Sequence, residues 1–317
     1  MLNSKKIQKE ASALSGVGIV IIKELRDYLG SIRMKLLLLL IILTAAASLY
    51  GASSQIRHLV SEDPFLLLGL FTVSKAPVPP LVSFLGFLIP LAGIALGFDA
   101  INSEYSQKTL SRILSQPIYR DSLITGKAIA AVAAIAITLL ALWLLILGSG
   151  MLLFGIPPTG EQVARAMMFY IMTVLYAGIW VVMAILFSVI FKQPATSALA
   201  SLGLWLVITV FWPIAGSLIA QAAAQPGTLE YAKISHYISL LSPNTVYGES
   251  TLALLNPTTR TLGPVVFSQL EGAIMGNPLP LGISLLLIWP HFSGLTASIL
   301  LLFAAAYVLF QRQEVRA

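Results

Sequence analysis

Few residues in this chain have side chains that can do chemistry. Among 317 residues there is no cysteine, which excludes disulfides, thiolate metal ligands and cysteine nucleophiles. The three histidines, His58, His236 and His291, stand far apart and show no metal-ligand spacing. His58 and His236 fall on the same side of the expected topology, but isolated histidines are more often structural than ligating. His291 follows Pro290, so it either lines a cavity or caps carbonyls freed by the proline; capping is the simpler role. Met167, Met168 and Met172 put sulfur on one helical turn, and flexible core filling is the favoured reading of them. Gly126-Lys127 lacks the glycine frame of a phosphate-binding loop, and no serine–histidine or metalloprotease pattern occurs. No catalytic residue, metal site or bound cofactor is expected. Any energy source has to come from a partner.

One polar, patterned stretch stands out, Glu104 to Lys127, between two strongly apolar runs. Glu104, Lys108, Ser111 and Ser115 share a helical face, with Arg112 nearby, while Leu110, Ile113 and Leu114 form an apolar stripe. Glu104 precedes Lys108 by one turn, the favourable order for an ion pair. Pro117 stops this helix, predicted over about 103–118, because proline disfavours helical geometry in the residue before it. Tyr119, Arg120 and Asp121 then make a turn, with Asp121 placed to cap a helix starting near Ser122 and carrying Lys127. Such a short amphipathic helix is either a solvated connector or a surface for a partner to grip.

The elements that position this stretch are membrane spans. The chain is 57% apolar and 10% charged, with a mean hydropathy of +0.89. A soluble domain has about a quarter of its residues charged. Six runs, near 34–54, 81–100, 128–154, 167–190, 197–220 and 281–310, are long enough to cross roughly 30 Å of hydrocarbon. The fold class is therefore an all-α polytopic membrane protein. Pro90, Gly93 and Gly97 in the second run allow a kink or a close neighbour. Pro290, His291, Ser293 and Gly294 are expected to break or bend the sixth.

The formal charge of +6 is no sign of nucleic acid, because the basic residues crowd near span ends. Residues 1–33 divide into a frayed, lysine-rich start and an amphipathic helix from Val17 to Ile32 carrying Lys23, Glu24, Arg26 and Asp27. That helix suits the membrane interface, with its cations at lipid headgroups. No cleavable signal is expected ahead of the first span. Fourteen of the 19 lysines and arginines fall on the side of the two termini and of 104–127, and five fall opposite. Both ends, including the tail 311–317, are thus expected in the cytoplasm. On the far side, Phe65 to Val73 is too short to span and reads as an interfacial or re-entrant helix. The outer loop 221–278 is expected to hold one short helix, Leu229 to Leu241, and to cap the outer mouth.

Glu104, Thr109, Leu110, Leu114, Ser115, Pro117, Ile118, Arg120, Gly126 and Lys127 together resemble the type-2 family of ABC transporter permeases. The run KELRDYL, followed by basic residues and leucines, resembles the elbow helix of the same family. One departure is Lys108, where the family usually has glycine before the threonine. The resemblance implies a permease domain over 34–310 whose 103–118 helix couples to separate ATP-binding cassette subunits. Those subunits would hold the ATP and magnesium. It further implies a second permease chain, identical or not, membrane lipids around both, and a prokaryotic cell membrane as the location. The coupling residues would be Glu104, Lys108, Leu110, Arg112, Leu114, Pro117, Arg120 and Lys127, with Lys23, Glu24 and Arg26 in the elbow. One branch of the family is associated with multicopper-enzyme maturation. Two other classes are an ion-coupled transporter or channel, and an assembly factor without transport. Ion coupling needs ionisable groups within spans, and only Asp99, at a span end, is evident.

Overall fold

The computed structural model describes residues 2–56, 65–73, 78–107, 120–155, 157–263 and 278–313, and of 2–15, 53–56, 66 and 154 the backbone alone. Every regular element among the described residues is helical. In lipid this is forced, since a helix satisfies its backbone polar groups internally. Six helical segments are long and apolar enough to span a membrane, matching the six runs. Two lengthen at the start. The third begins by Arg120, and the fourth begins at Gly160, where Thr159 and Gln162 form a reciprocal capping box.

The chain opens with α1 (Leu2–Gly30), α2 (Ile32–Ile56), the two-turn α3 (Leu66–Thr72), α4 (Leu81–Gly97) and the short α5 (Asn102–Ser106). Next come α6 (Arg120–Phe154), α7 (Gly160–Ile190) and α8 (Pro194–Leu206). A π-helical turn at Val207–Phe211 joins α8 to α9 (Trp212–Ala223). The π register follows from Pro213: the Trp212 N–H reaches back five residues to Val207 O, and the proline offers no donor to restore the ladder. Then α10 (Leu229–Ser239) and α11 (Pro243–Leu255) precede α12 (Leu281–Arg312). The start of α2, the start of α6 and the end of α12 share one end of the bundle, called proximal below. The opposite end is called distal.

Helix α7 is the axis of the bundle, packing on α4, α6, α8, α11 and α12. Its Trp180, Tyr176 and Met172 are fully enclosed. Gly93 and Gly97 let α4 lie directly on it: a Cβ on Gly97 would stand 2.7 Å from the Ala184 Cβ and from Val181 O. The methionines at the start of α7 do not form one sulfur face, for Met172 is buried while Met167 is exposed. Core filling accounts for Met172.

Several expectations need correction. The sixth span is a continuous helix through Pro290. Its face of Ile288, His291 and Leu295 is buried against neighbours, and that packing holds the register across the missing donor. The helical backbone of α1 runs back to Leu2, well ahead of Val17. The Phe65–Val73 run does make a short helix, but Leu67, Leu68, Leu70 and Phe71 are enclosed by the bundle instead of lying at its surface. In the outer loop α10 occurs as expected. A second helix, α11, is present beyond the one expected, and it packs into the bundle against α7 and α12. Its buried positions, Tyr247, Ser250, Thr251, Leu254 and Leu255, keep helical spacing. Serine and threonine among them hid the pattern from a reading based on hydropathy.

Candidate functional site

At the proximal end three chain segments converge on one lysine. Lys127 lies two turns into α6, and its Nζ is 2.7 Å from Glu104 Oε1 and 3.1 Å from Glu24 Oε1. Glu104 belongs to α5, at the end of the second span, and Glu24 to α1. All three side chains are nearly enclosed, with Lys127 only 5% exposed. The approach is possible because Gly126 faces Val20, where an added Cβ would stand 2.5 Å from Val20 Cγ1. The glycine therefore permits the crossing that brings Glu24 to Lys127.

Lys23 flanks the cluster, 2.8 Å from Glu24 Oε1 and 3.3 Å from Asp27 Oδ2. Burial alone would push the Glu24 carboxyl upward, but Lys127 and Lys23 outweigh it and hold the carboxyl below its ordinary range. For Lys23 the partial burial is likewise outweighed, by Glu24 and Asp27, and its ammonium is raised. Tyr28 is pushed up by burial and by the neighbouring carboxylates Glu24, Asp99 and Glu104. Taken together, this is a shared-ion joint: one buried cation between two carboxylates on different segments.

Further ties brace the same end. Arg33 pairs with Asp99 at 2.7 Å and sits 4.8 Å above the Phe98 ring. The backbone N–H groups of Ile101 and Asn102 donate to Ser188 Oγ, and the Asn102 amide donates to Phe98 O and Phe191 O. These bonds fasten the end of the second span to the end of the fourth. Arg120 does not enter the ion cluster; its Nη1 donates to Gln313 O at 2.9 Å. Gln313 Nε2 in turn donates to Val189 O, and Gln311 to Asp121 Oδ1. Asp121 thus lies inside α6 facing α12, not at a helix cap as expected.

The structure therefore unites Glu104, Lys127, Glu24 and Lys23, which the sequence assigned to two separate elements. Arg26 is exposed on α1, away from the enclosed face. Lys108, Leu110, Arg112, Leu114 and Pro117 lie outside the described residues, as does most of the expected 103–118 helix.

The distal end holds polar groups that the sequence reading missed. Arg165, counted as a loop residue, lies in α7 and is fully enclosed. It pairs with Glu161 at 2.9 Å and donates to Leu254 O, Leu279 O and Ser284 Oγ. One guanidinium so ties α7 to α11 and to the start of α12. The Glu161–Arg165 spacing, read with Thr159 as a cap, could have revealed it. Glu249 on α11 is held between two imidazoles: His236 Nδ1 at 3.1 Å and His291 Nε2 at 3.0 Å. His291 thus pairs with a carboxylate instead of capping carbonyls, and no local signal announced it. Among the described residues no group of three acids or histidines is arranged to hold a metal ion. His58 lies outside them.

A family model described as ABC-2 family transporter protein matches residues 19–315. Two curated relatives, each named probable ABC transporter permease protein NosY, come from Stutzerimonas stutzeri and Pseudomonas aeruginosa. They are 25% and 26% identical to this chain over 183 residues. That stretch is 56% of this chain, and it spans 63% of the relatives' length.

Proposed function

The chain belongs to the ABC-2 family of transporter proteins, and on that premise we propose that it is the membrane-spanning permease subunit of an ATP-driven exporter. It forms the translocation path and couples to separate ATP-binding cassette subunits, which carry the ATP and magnesium. A second permease chain completes the path. The termini and the 104–127 segment face the cytoplasm, in keeping with the excess of lysine and arginine there.

One observation carries the coupling role. In the chain, Glu104 precedes residues 108–119 and Lys127 follows them, and those two side chains form an ion pair at 2.7 Å. A push on that segment is therefore delivered to α4–α5 and α6 together. Through Glu24 the same lysine delivers it to α1. A buried ion cluster suits this role, since its members move together or lose their partners at high cost. The rest of the mechanism is a lever: closure of the ATPase subunits moves the 104–127 segment, and the second and third spans follow.

The test is reconstitution with the ATPase subunits in vesicles. The isolated chain shows no ATP hydrolysis. In the complex, Glu104→Gln retains shape, assembly and basal hydrolysis, but loses the dependence of hydrolysis on an assembled, sealed permease. Hydrolysis by the isolated chain would overturn the permease reading. A Glu104→Gln complex coupled like the parent would remove this joint from the mechanism.

A further inference from the structure

At the distal end the start of α4, the end of α3 and one face of α11 line an open groove of about 380 Å³. Its size falls in the range of small-molecule sites. Thr72, Ser83, Asn244, Tyr247 and Thr251 line it with neutral polar groups, while Pro80, Val82 and Leu252 supply apolar wall. Among the described residues, none that lines it carries a charge.

The wall is built and held. The Asn244 amide donates to Thr209 Oγ1 at 2.7 Å beside the π-helical turn, and its Oδ1 accepts from Tyr176 OH at 2.6 Å. Tyr247 stacks on Tyr176 with centroids 4.4 Å apart, and its hydroxyl meets Thr173 Oγ1 at 3.1 Å. Thr138, Thr173 and Ser201 in the spans each donate to the carbonyl four residues back. Among the described residues Thr72 and Ser83 make no such bond, so two hydroxyls on the groove wall are available to a ligand. A ligand that bonds both hydroxyls while seating its apolar part on the wall is favoured.

We propose that this groove binds a neutral amphiphile, an apolar chain bearing an uncharged hydroxyl or ester group. The ligand's polar group meets Thr72 and Ser83, and its chain lies along Val82 and Leu252. A charged headgroup finds no counter-ion among the described lining residues. The glycerol-ester region of a bilayer lipid and a free monoacylglycerol share the required chemistry. As the exporter's substrate site the groove rests on the permease reading, but binding is measured on this chain without ATPase subunits. An empty groove and a failed partnership are therefore separate results.

The experiment uses the full chain in lipid nanodiscs and a medium-chain monoacylglycerol carrying a diazirine. After irradiation, labelled peptides are mapped by mass spectrometry. Labels are expected on 81–86 and 244–252. Unlabelled monoacylglycerol competes, whereas the fatty acid and alkylamine of the same chain length do not. Gly248 lines the groove with nothing within 4 Å of an added Cβ. Gly248→Ala should therefore label like the parent, while Gly248→Trp fills the space and cuts labelling about tenfold. Thr72→Val combined with Ser83→Ala weakens binding about fivefold, the effect of losing ordinary hydrogen bonds. A second arm places the diazirine at the glycerol depth of a bilayer phospholipid. Labelling there that free monoacylglycerol does not displace assigns the groove to bilayer lipid and supports the same chemistry. Labelling unchanged by Gly248→Trp, or equal competition by the charged analogues, overturns the proposal. Should the tryptophan variant not fold, the Thr72/Ser83 double variant decides: binding like the parent overturns the site.

Discussion

Replacing Lys127 with Met tests the proximal ion cluster most directly. The change keeps the side chain's length and removes the cation between two carboxylates. Glu24 retains Lys23 at 2.8 Å, but the cation that separates the two carboxylates is gone. Lys127 lies 3.1 Å and 2.7 Å from the two Oε1 atoms, so these stand at most about 6 Å apart. At an effective dielectric of about 20 their repulsion is about 3 kcal/mol once the lysine is gone. Breaking a buried pair by removing one partner costs about 3–5 kcal/mol, which agrees in size. We expect Lys127→Met to lower the melting temperature of the purified chain at pH 7 by several degrees. Adding Glu24→Gln and Glu104→Gln to it should restore most of the loss, because the two carboxylates then no longer repel each other.

The pH dependence separates this account from simple loss of packing. The parent's Glu24 carboxyl is held below its ordinary value, so its contribution is present above about pH 4.3 and is lost as pH falls through the folded value. Lys127→Met removes the strongest influence lowering the Glu24 carboxyl and leaves burial to raise it, so the variant should gain stability as pH falls from 7 toward 5. The parent's stability from this cluster stays level over the same range. The assay is a series of melting curves from pH 7 to pH 4 in one detergent. A Lys127→Met chain as stable as the parent at pH 7, or one whose deficit does not shrink toward pH 5, would refute the reasoning.

Two further outcomes test other parts of the structure. Arg165→Met leaves Leu254 O, Leu279 O and Ser284 Oγ without their shared donor and should cost about 3–5 kcal/mol in unfolding. Arg165→Lys should rescue little in the same melting assay, because an ammonium cannot fan across those groups. For topology, Ser106→Cys and Gln225→Cys are exposed positions at opposite ends of the bundle in a chain without native cysteine. An impermeant thiol reagent should reach Ser106→Cys only from the cytoplasmic side and Gln225→Cys only from outside. Labelling of both from one side would reverse the span arithmetic.

Much of this protein is legible along the chain, for a physical reason. A span must satisfy its backbone internally and present about 20 apolar residues to lipid. That requirement is local, so six runs in the sequence became six helical segments. Gly93 and Gly97 were legible too, since small residues in an apolar run mark close approach, and α4 does press on α7 there. The polar stretch starting at Glu104 was visible by contrast with its surroundings. Its partners were not. Glu24 and Lys127 are 103 positions apart and Glu249 and His291 are 42 apart. Which charge meets which depends on how the helices cross, and a crossing is decided by side chains on two elements at once. The Glu104–Lys108 spacing suggested a pair within one helix; Lys108 lies outside the described residues, and it is packing that brings the Glu104 carboxylate to Lys127 in the next span. Arg165 passed for a loop residue because a lone arginine at a span edge usually snorkels to water. Glu161 is a local partner one turn away, but only the tertiary structure adds two backbone carbonyls and a serine, and such a set of partners is what allows a charge to be buried.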